Sequence, residues 1–109
     1  MSYFKTKPVR SKNLRDSARD QECTVRLPGC LFSGETVVLA HLPHSGRGIA
    51  RKASDLDAVF ACKACHDVID GRTRYEYSRE ELLEALIRAH SETMQAWADD
   101  GLITVMGAA

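Results

Sequence analysis

The chemistry of this chain is concentrated in its sulfur. Cys62-Lys63-Ala64-Cys65 sets two thiols one helical turn apart with His66 directly after them, and Cys23 and Cys30 form a second pair separated by six residues. Zn²⁺ takes four tetrahedral ligands, usually from two such local clips brought together, and thiolate is among its preferred donors. The spacing therefore predicts one Cys₄ site, with Cys23, Cys30, Cys62 and Cys65 around a structural zinc. Two buried thiol pairs or two disulfides are the alternatives for the same four residues.

The length decides how much such a site matters. At 109 residues the chain is one domain with a modest core. A structural zinc supplies roughly 10–16 kcal/mol in small metal domains, as much as the usual net stability of a whole fold. No stretch approaches the ~18 consecutive apolar residues of a membrane span. The polar start Met1-Ser2-Tyr3-Phe4-Lys5 has no signal-peptide core. These features predict a soluble cytoplasmic protein with no membrane partner, in a compartment whose reducing conditions favour metal over disulfides.

Formal net charge is zero, but the balance is uneven along the chain. Residues 1–52 carry ten Lys/Arg against four Asp/Glu, net +6, whereas residues 53–109 carry five against eleven, net −6. A basic half can meet phosphate while the acidic half faces water, metal or a partner. Mutual attraction of the two halves is the plainer explanation.

Several elements must position the cysteines. Residues 1–10 mix Lys5, Lys7 and Arg10 with Pro8 and read as a flexible basic arm ahead of a single domain, 11–109. A short helix over 11–22, capped by Ser11, presents Lys12, Arg15 and Arg19. Pro28-Gly29 turns the chain into Cys30. The β-branched, apolar run Glu35 to Leu42 is the strongest strand and carries His41 near its end. A cationic loop with His44, Arg47, Arg51 and Lys52 follows, then a second strand over 55–61. A helix from Lys63 to about Asp70 is closed by Gly71. Ser78-Arg79-Glu80-Glu81 is a capping box opening a long helix, about 79–99, with the stripe Leu82, Leu83, Leu86, Ile87, His90, Met94 and Trp97. His90 reads as a satisfied core or boundary histidine. The Trp97 end, taken as exposed, offers a surface for a homodimer, and Leu102, Ile103 and Val105 suggest an edge strand.

Strand, loop, strand and ligand-headed helix, carried by Ala40-His41-Leu42, Asp55-Leu56-Asp57 and Cys62-x₂-Cys65-His66, resemble the HNH (ββα-metal) endonuclease superfamily. More narrowly, Glu22-Cys23-Thr24-Val25-Arg26-Leu27-Pro28-Gly29, Leu39-Ala40-His41-Leu42 and Ala61 to Asp70 are similar to the YbcO-like prophage nuclease family. The resemblance implies a small α+β treble-clef domain with a core over 23–71. It gives His41 the role of general base, since imidazole is neutral near pH 7 and can take a proton from water. It makes His66 a ligand of a catalytic Mg²⁺, Mn²⁺ or Zn²⁺, and Asp70, one helical turn on, a further ligand on the same face. Asp55 or Asp57 would orient His41, and His44 could complete the ion's shell.

The reading that follows is metal-dependent cleavage of double-stranded or branched DNA, with the resemblance implying a role in phage or prophage recombination or DNA processing in an infected or lysogenic host. Lys12, Arg15, Arg19, Arg47, Arg51 and Lys52 would contact the DNA backbone. Two rivals remain. One is a zinc-stabilised nucleic-acid-binding module without catalysis, in which Ala40 stands where a metal ligand is usual. The other is a protein-interaction adaptor built on the acidic helix around Glu80, Glu81, Glu84 and Glu92.

Overall fold

A computed structural model of the chain describes residues 8–32, 34–43, 54–73 and 77–108. Most of the expected basic arm and the loop residues His44, Arg47, Arg51 and Lys52 lie outside the described residues. The elements are α1 (Lys12–Asp16), a 3₁₀ turn (Gly34–Thr36), β1 (Val38–His41), β2 (Ala58–Ala61), α2 (Lys63–Ile69) and α3 (Arg79–Asp99). They form a small α+β domain with a two-stranded sheet and three helices. None of its described helices is long and apolar enough to cross a membrane.

Ser11 caps α1 as expected, accepting the Leu14 N–H. The helix was expected to reach Glu22 but stops at Asp16. Ser17 turns its hydroxyl back onto the Leu14 carbonyl, and Asp20 adopts φ +64, which no α-helix tolerates. The chain then closes on itself at Gly34, where a Cβ would sit 2.9 Å from the Asp20 backbone, so only glycine permits the approach.

Both strands are shorter than their sequence patterns. Residues 34–36 wind into the 3₁₀ turn, whose Thr36 Oγ1 accepts the Lys63 N–H at 3.2 Å, so β1 starts at Val38. Residues 55–57 form a turn in which the Asp57 N–H reaches the Ser54 carbonyl, so β2 starts at Ala58. The strands pair antiparallel with Val38 opposite Ala61 and His41 opposite Ala58. Cys62 follows β2 directly and caps α2, its sulfur accepting the Cys65 N–H, and Gly71 at φ +75 closes the helix. Helix α2 packs against both strands.

The capping box is formed: Ser78 Oγ accepts the Glu81 N–H, and the Glu81 carboxylate accepts the Ser78 N–H. The face that α3 buries, however, is Leu82, Ala85, Leu86, Ala89, Thr93 and Trp97. Leu83 and Ile87, expected in the buried stripe, are 36% and 71% exposed. Trp97 is fully buried, which corrects the expectation of an exposed end suited to self-pairing. It meets Phe60 edge-to-face at 6.1 Å and donates its indole N–H to Ser17 Oγ. The edge strand expected at 102–105 is absent: the Leu102 N–H turns back to the Trp97 carbonyl and finishes α3 instead. His90 is satisfied at the boundary of the core, with Nε2 2.8 Å from the Leu56 carbonyl oxygen.

Trp97 locks α3 to both β2 and the end of α1. Trp97→Ala is expected to cost about 3–5 kcal/mol, the range for emptying a large aromatic site, read as a lowered urea midpoint.

Candidate functional site

The four cysteines meet. Their sulfurs all lie within 4.8 Å of one another, and Cys30 and Cys62 are 3.8 Å apart. A tetrahedral site with metal–sulfur bonds near 2.3 Å has sulfurs about 3.8 Å apart, so the cluster has the dimensions of a site that could hold a metal ion. None of the four is in a disulfide, and three of them are buried. Backbone N–H groups point at the sulfurs: Leu31 and Cys65 at Cys62, and Phe32 at Cys30. Such bonds offset thiolate charge.

Protons are shared unequally within this group. The hydrogen bond from Cys65 holds the Cys23 thiol down to about 4, and the same contact pushes Cys65 well above the usual thiol range. Burial pushes Cys30 up to about 11. Four thiolates cannot coexist here unaided, and a divalent cation is what would let all of them ionise.

At the other end of the sheet, β1 delivers His41. Its Nε2 lies 2.9 Å from Asp55 Oδ1, in the turn three residues before the opposite strand position. Asp55 is fully buried and its second oxygen is also occupied, accepting the Ser11 N–H at 2.7 Å and the Arg15 guanidinium at 3.0 Å. Burial works against ionising this carboxyl. The Ser11 N–H, His41 and Arg15 outweigh it and hold the group below the ordinary carboxylate range. A carboxylate facing Nε2 places the ring proton there, leaving the lone pair on Nδ1. The ring is 29% exposed.

The backbone completes the frame. Val9 and Asp55 are bonded through the Val9 carbonyl and the Asp55 N–H, and the Leu42 N–H reaches the Asp57 carbonyl, fixing the chain just beyond His41. Of the two carboxylates proposed to orient His41, Asp55 is therefore the one bonded to its ring. Asp57 contributes a backbone oxygen to Leu42.

His66 and Asp70 project from one face of α2 with Nε2 and Oδ2 3.1 Å apart. That is the distance of a direct histidine–carboxylate pair one helical turn apart. Arg72 lies at 3.3 Å from Asp70 and 3.5 Å from Asp67. Among the described residues, the only group of three or more ligand-type side chains close enough to share an ion is the cysteine cluster. Ala40, just before His41, is buried and offers no donor.

The expected DNA-contacting residues of the 11–22 segment have internal partners. Lys12 pairs with Asp16 at 2.6 Å, Arg19 approaches the same carboxylate at 3.8 Å, and Arg15 turns inward to Asp55. Lys12 and Arg19 remain 79% exposed, and pairs this open are worth little against a competing phosphate. The support that Ser11 and Arg15 give Asp55 had no sequence signal, because it spans forty residues or more.

These features define a class first: a small α+β domain whose short hairpin is clasped at one end by four cysteines and bears a carboxylate-held histidine at the other. The chain belongs to the family described as "Putative nuclease YbcO", whose model matches residues 12–102. It is 44% identical over 96 residues to "Putative nuclease YbcO" of Escherichia coli (strain K12), covering 84% of this chain and 96% of that protein. A protein with the same description from Enterobacteria phage 82 matches equally well, at 44% over 96 residues. A solved structure described as a putative bacteriophage protein from E. coli K-12 superposes with a TM-score of 0.68 at 40% identity, covering 82% of this chain and all of that one.

Proposed function

We propose that this protein is a metal-dependent endonuclease of the HNH type that cleaves DNA phosphodiesters in phage or prophage DNA processing. The observation that carries the reading is the His41–Asp55 pair, in which a buried, ionised carboxylate fixes the tautomer of a partly exposed imidazole. Relatives described as nucleases support the same substrate class. In this reading the four cysteines hold a structural zinc in a treble-clef arrangement, and His66 and Asp70 hold the catalytic ion.

His41 Nδ1 would take a proton from water as the water oxygen attacks phosphorus, while Asp55 steadies the imidazolium that forms. A divalent cation at His66 and Asp70 supplies a charge sink for the phosphoryl oxygens and the departing 3′ oxygen. Arg72, beside Asp70, adds a fixed cation near the same point. Lys12 and Arg19 would meet backbone phosphates further along, without reading sequence.

Ala40 is the observation that favours the second reading, a zinc-stabilised nucleic-acid-binding module that does not cut. Incubating the zinc-loaded protein with supercoiled and branched DNA, with and without Mg²⁺ or Mn²⁺, separates the two. Nicking that needs the added cation is expected, and retention of DNA should weaken steeply as salt rises. Retention without nicking in either cation would reject the enzyme and leave the binding module.

A further inference from the structure

We infer that Phe32 is a stacking platform for an unpaired nucleobase, an inference that rests on the nucleic-acid reading above and names the part of the substrate it takes. Phe32 is 59% exposed and Leu31, beside it, is 50% exposed, at the tip of the loop that leaves the cysteine cluster. Phe32 also sits at φ +55, a left-handed conformation that glycine or asparagine adopts far more readily than an aromatic residue. A strained backbone under a bulky side chain is ordinarily compensated by packing, and Phe32 as a residue is more than half exposed. The ring is therefore kept where neither burial nor backbone preference would keep it.

Hydrogen bonds also tie down the backbone of Leu31 and Phe32. The Phe32 N–H bonds to Cys30 Sγ at 3.3 Å, and the Leu31 N–H to Cys62 Sγ at 3.4 Å. Gly34 closes on the Asp20 backbone, and Thr36 accepts the N–H of Lys63 at the start of α2. The cysteine cluster thus pre-sets an exposed aromatic side chain on the segment that reaches the start of α2 through Thr36, so that little ordering remains on binding.

The chemistry of the tip selects the ligand. Two side chains are too small a patch for a protein interface, which buries roughly 800 Å² per partner. The run from Leu31 to Thr36 carries no Lys or Arg, so it offers a phosphate no cation. A base that has left its stack offers a flat, uncharged π-face, which a single exposed aromatic can take without regard to sequence.

Two substitutions test this in the zinc-loaded protein. Phe32→Asn keeps a residue that tolerates the left-handed backbone and removes the ring. It should melt no lower than the parent yet bind a labelled single-stranded oligonucleotide about 5- to 150-fold more weakly, the span for losing one base–aromatic stack. Binding of a blunt duplex should change less than twofold. Phe32→Trp should bind like the parent, with its exposed indole quenched by the single strand over the unchanging signal of buried Trp97. Undiminished single-strand binding by the Asn variant, or an indole signal that saturating single strand leaves unmoved, overturns the stacking role alone. A parent protein that retains neither single strand nor duplex at low salt removes the nucleic-acid reading and this inference with it.

Discussion

Stripping the ion from the zinc-loaded protein is expected to unfold the domain. The four sulfurs come from three places: the loop after α1, the turn entering the 3₁₀ segment, and the junction of β2 with α2. Without an ion these segments keep the shared core and a few backbone and thiol hydrogen bonds, while Cys30 is pushed away from ionising chiefly by burial and Cys65 chiefly by its contact with Cys23. Zinc binding in small domains is worth about 10–16 kcal/mol, against a typical net stability of 5–15 kcal/mol. A strong chelator should therefore abolish the cooperative melt seen by circular dichroism, with one zinc per chain released. Cys62→Ser should do the same at ordinary zinc concentrations, since Cys62 caps α2 as well as belonging to the cysteine cluster. A melt indifferent to the chelator would remove the clasp from the account of the fold.

The second large effect is on catalysis. His41→Ala should lower the nicking rate by about 10²–10⁴-fold, the range for losing a general base. The ring is partly exposed and makes its bond at the surface end of a strand, so the melt should move little. Asp55→Asn should differ in kind: nicking falls because the tautomer is no longer imposed, and stability falls as well. Asp55 gathers the Ser11 N–H, Arg15 and His41 in a fully buried position, and breaking such a buried charged arrangement costs about 3–5 kcal/mol. Cutting that survives His41→Ala in a preparation purified away from host nucleases would end the enzyme reading.

What the sequence disclosed, and what it hid, follows from the range of each interaction. Ser78 with Glu81, Cys62 with Cys65, Ser11 with Leu14, and the left-handed glycine Gly71 are signals within four residues, and each appears where the spacing put it. The rotation of α3 was misjudged by part of a turn because hydrophobicity counts large side chains. The closest packing is made by Ala85, Ala89 and Thr93, which such counting passes over, and so Leu83 and Ile87 face outward. Leu102 and Val105 read as a strand because they are apolar, but the Leu102 N–H is taken by the Trp97 carbonyl at the end of α3. The choice between Asp55 and Asp57 could not be read in advance: alternation along an extended run would treat them alike, and the turn preceding β2 is what separates them.

One detail of the hairpin bears on how this molecule behaves in a crowd. At the middle of β2, the outward N–H of Phe60 goes to Thr93 Oγ1, and its outward carbonyl accepts both the N–H and the hydroxyl of Thr24. A helix hydroxyl and a loop residue thus occupy the place a third strand would take. An edge sealed in this way cannot template the addition of a foreign strand. At Phe60 the outer edge of β2 is in this manner closed to the pairing by which exposed ribbons polymerise.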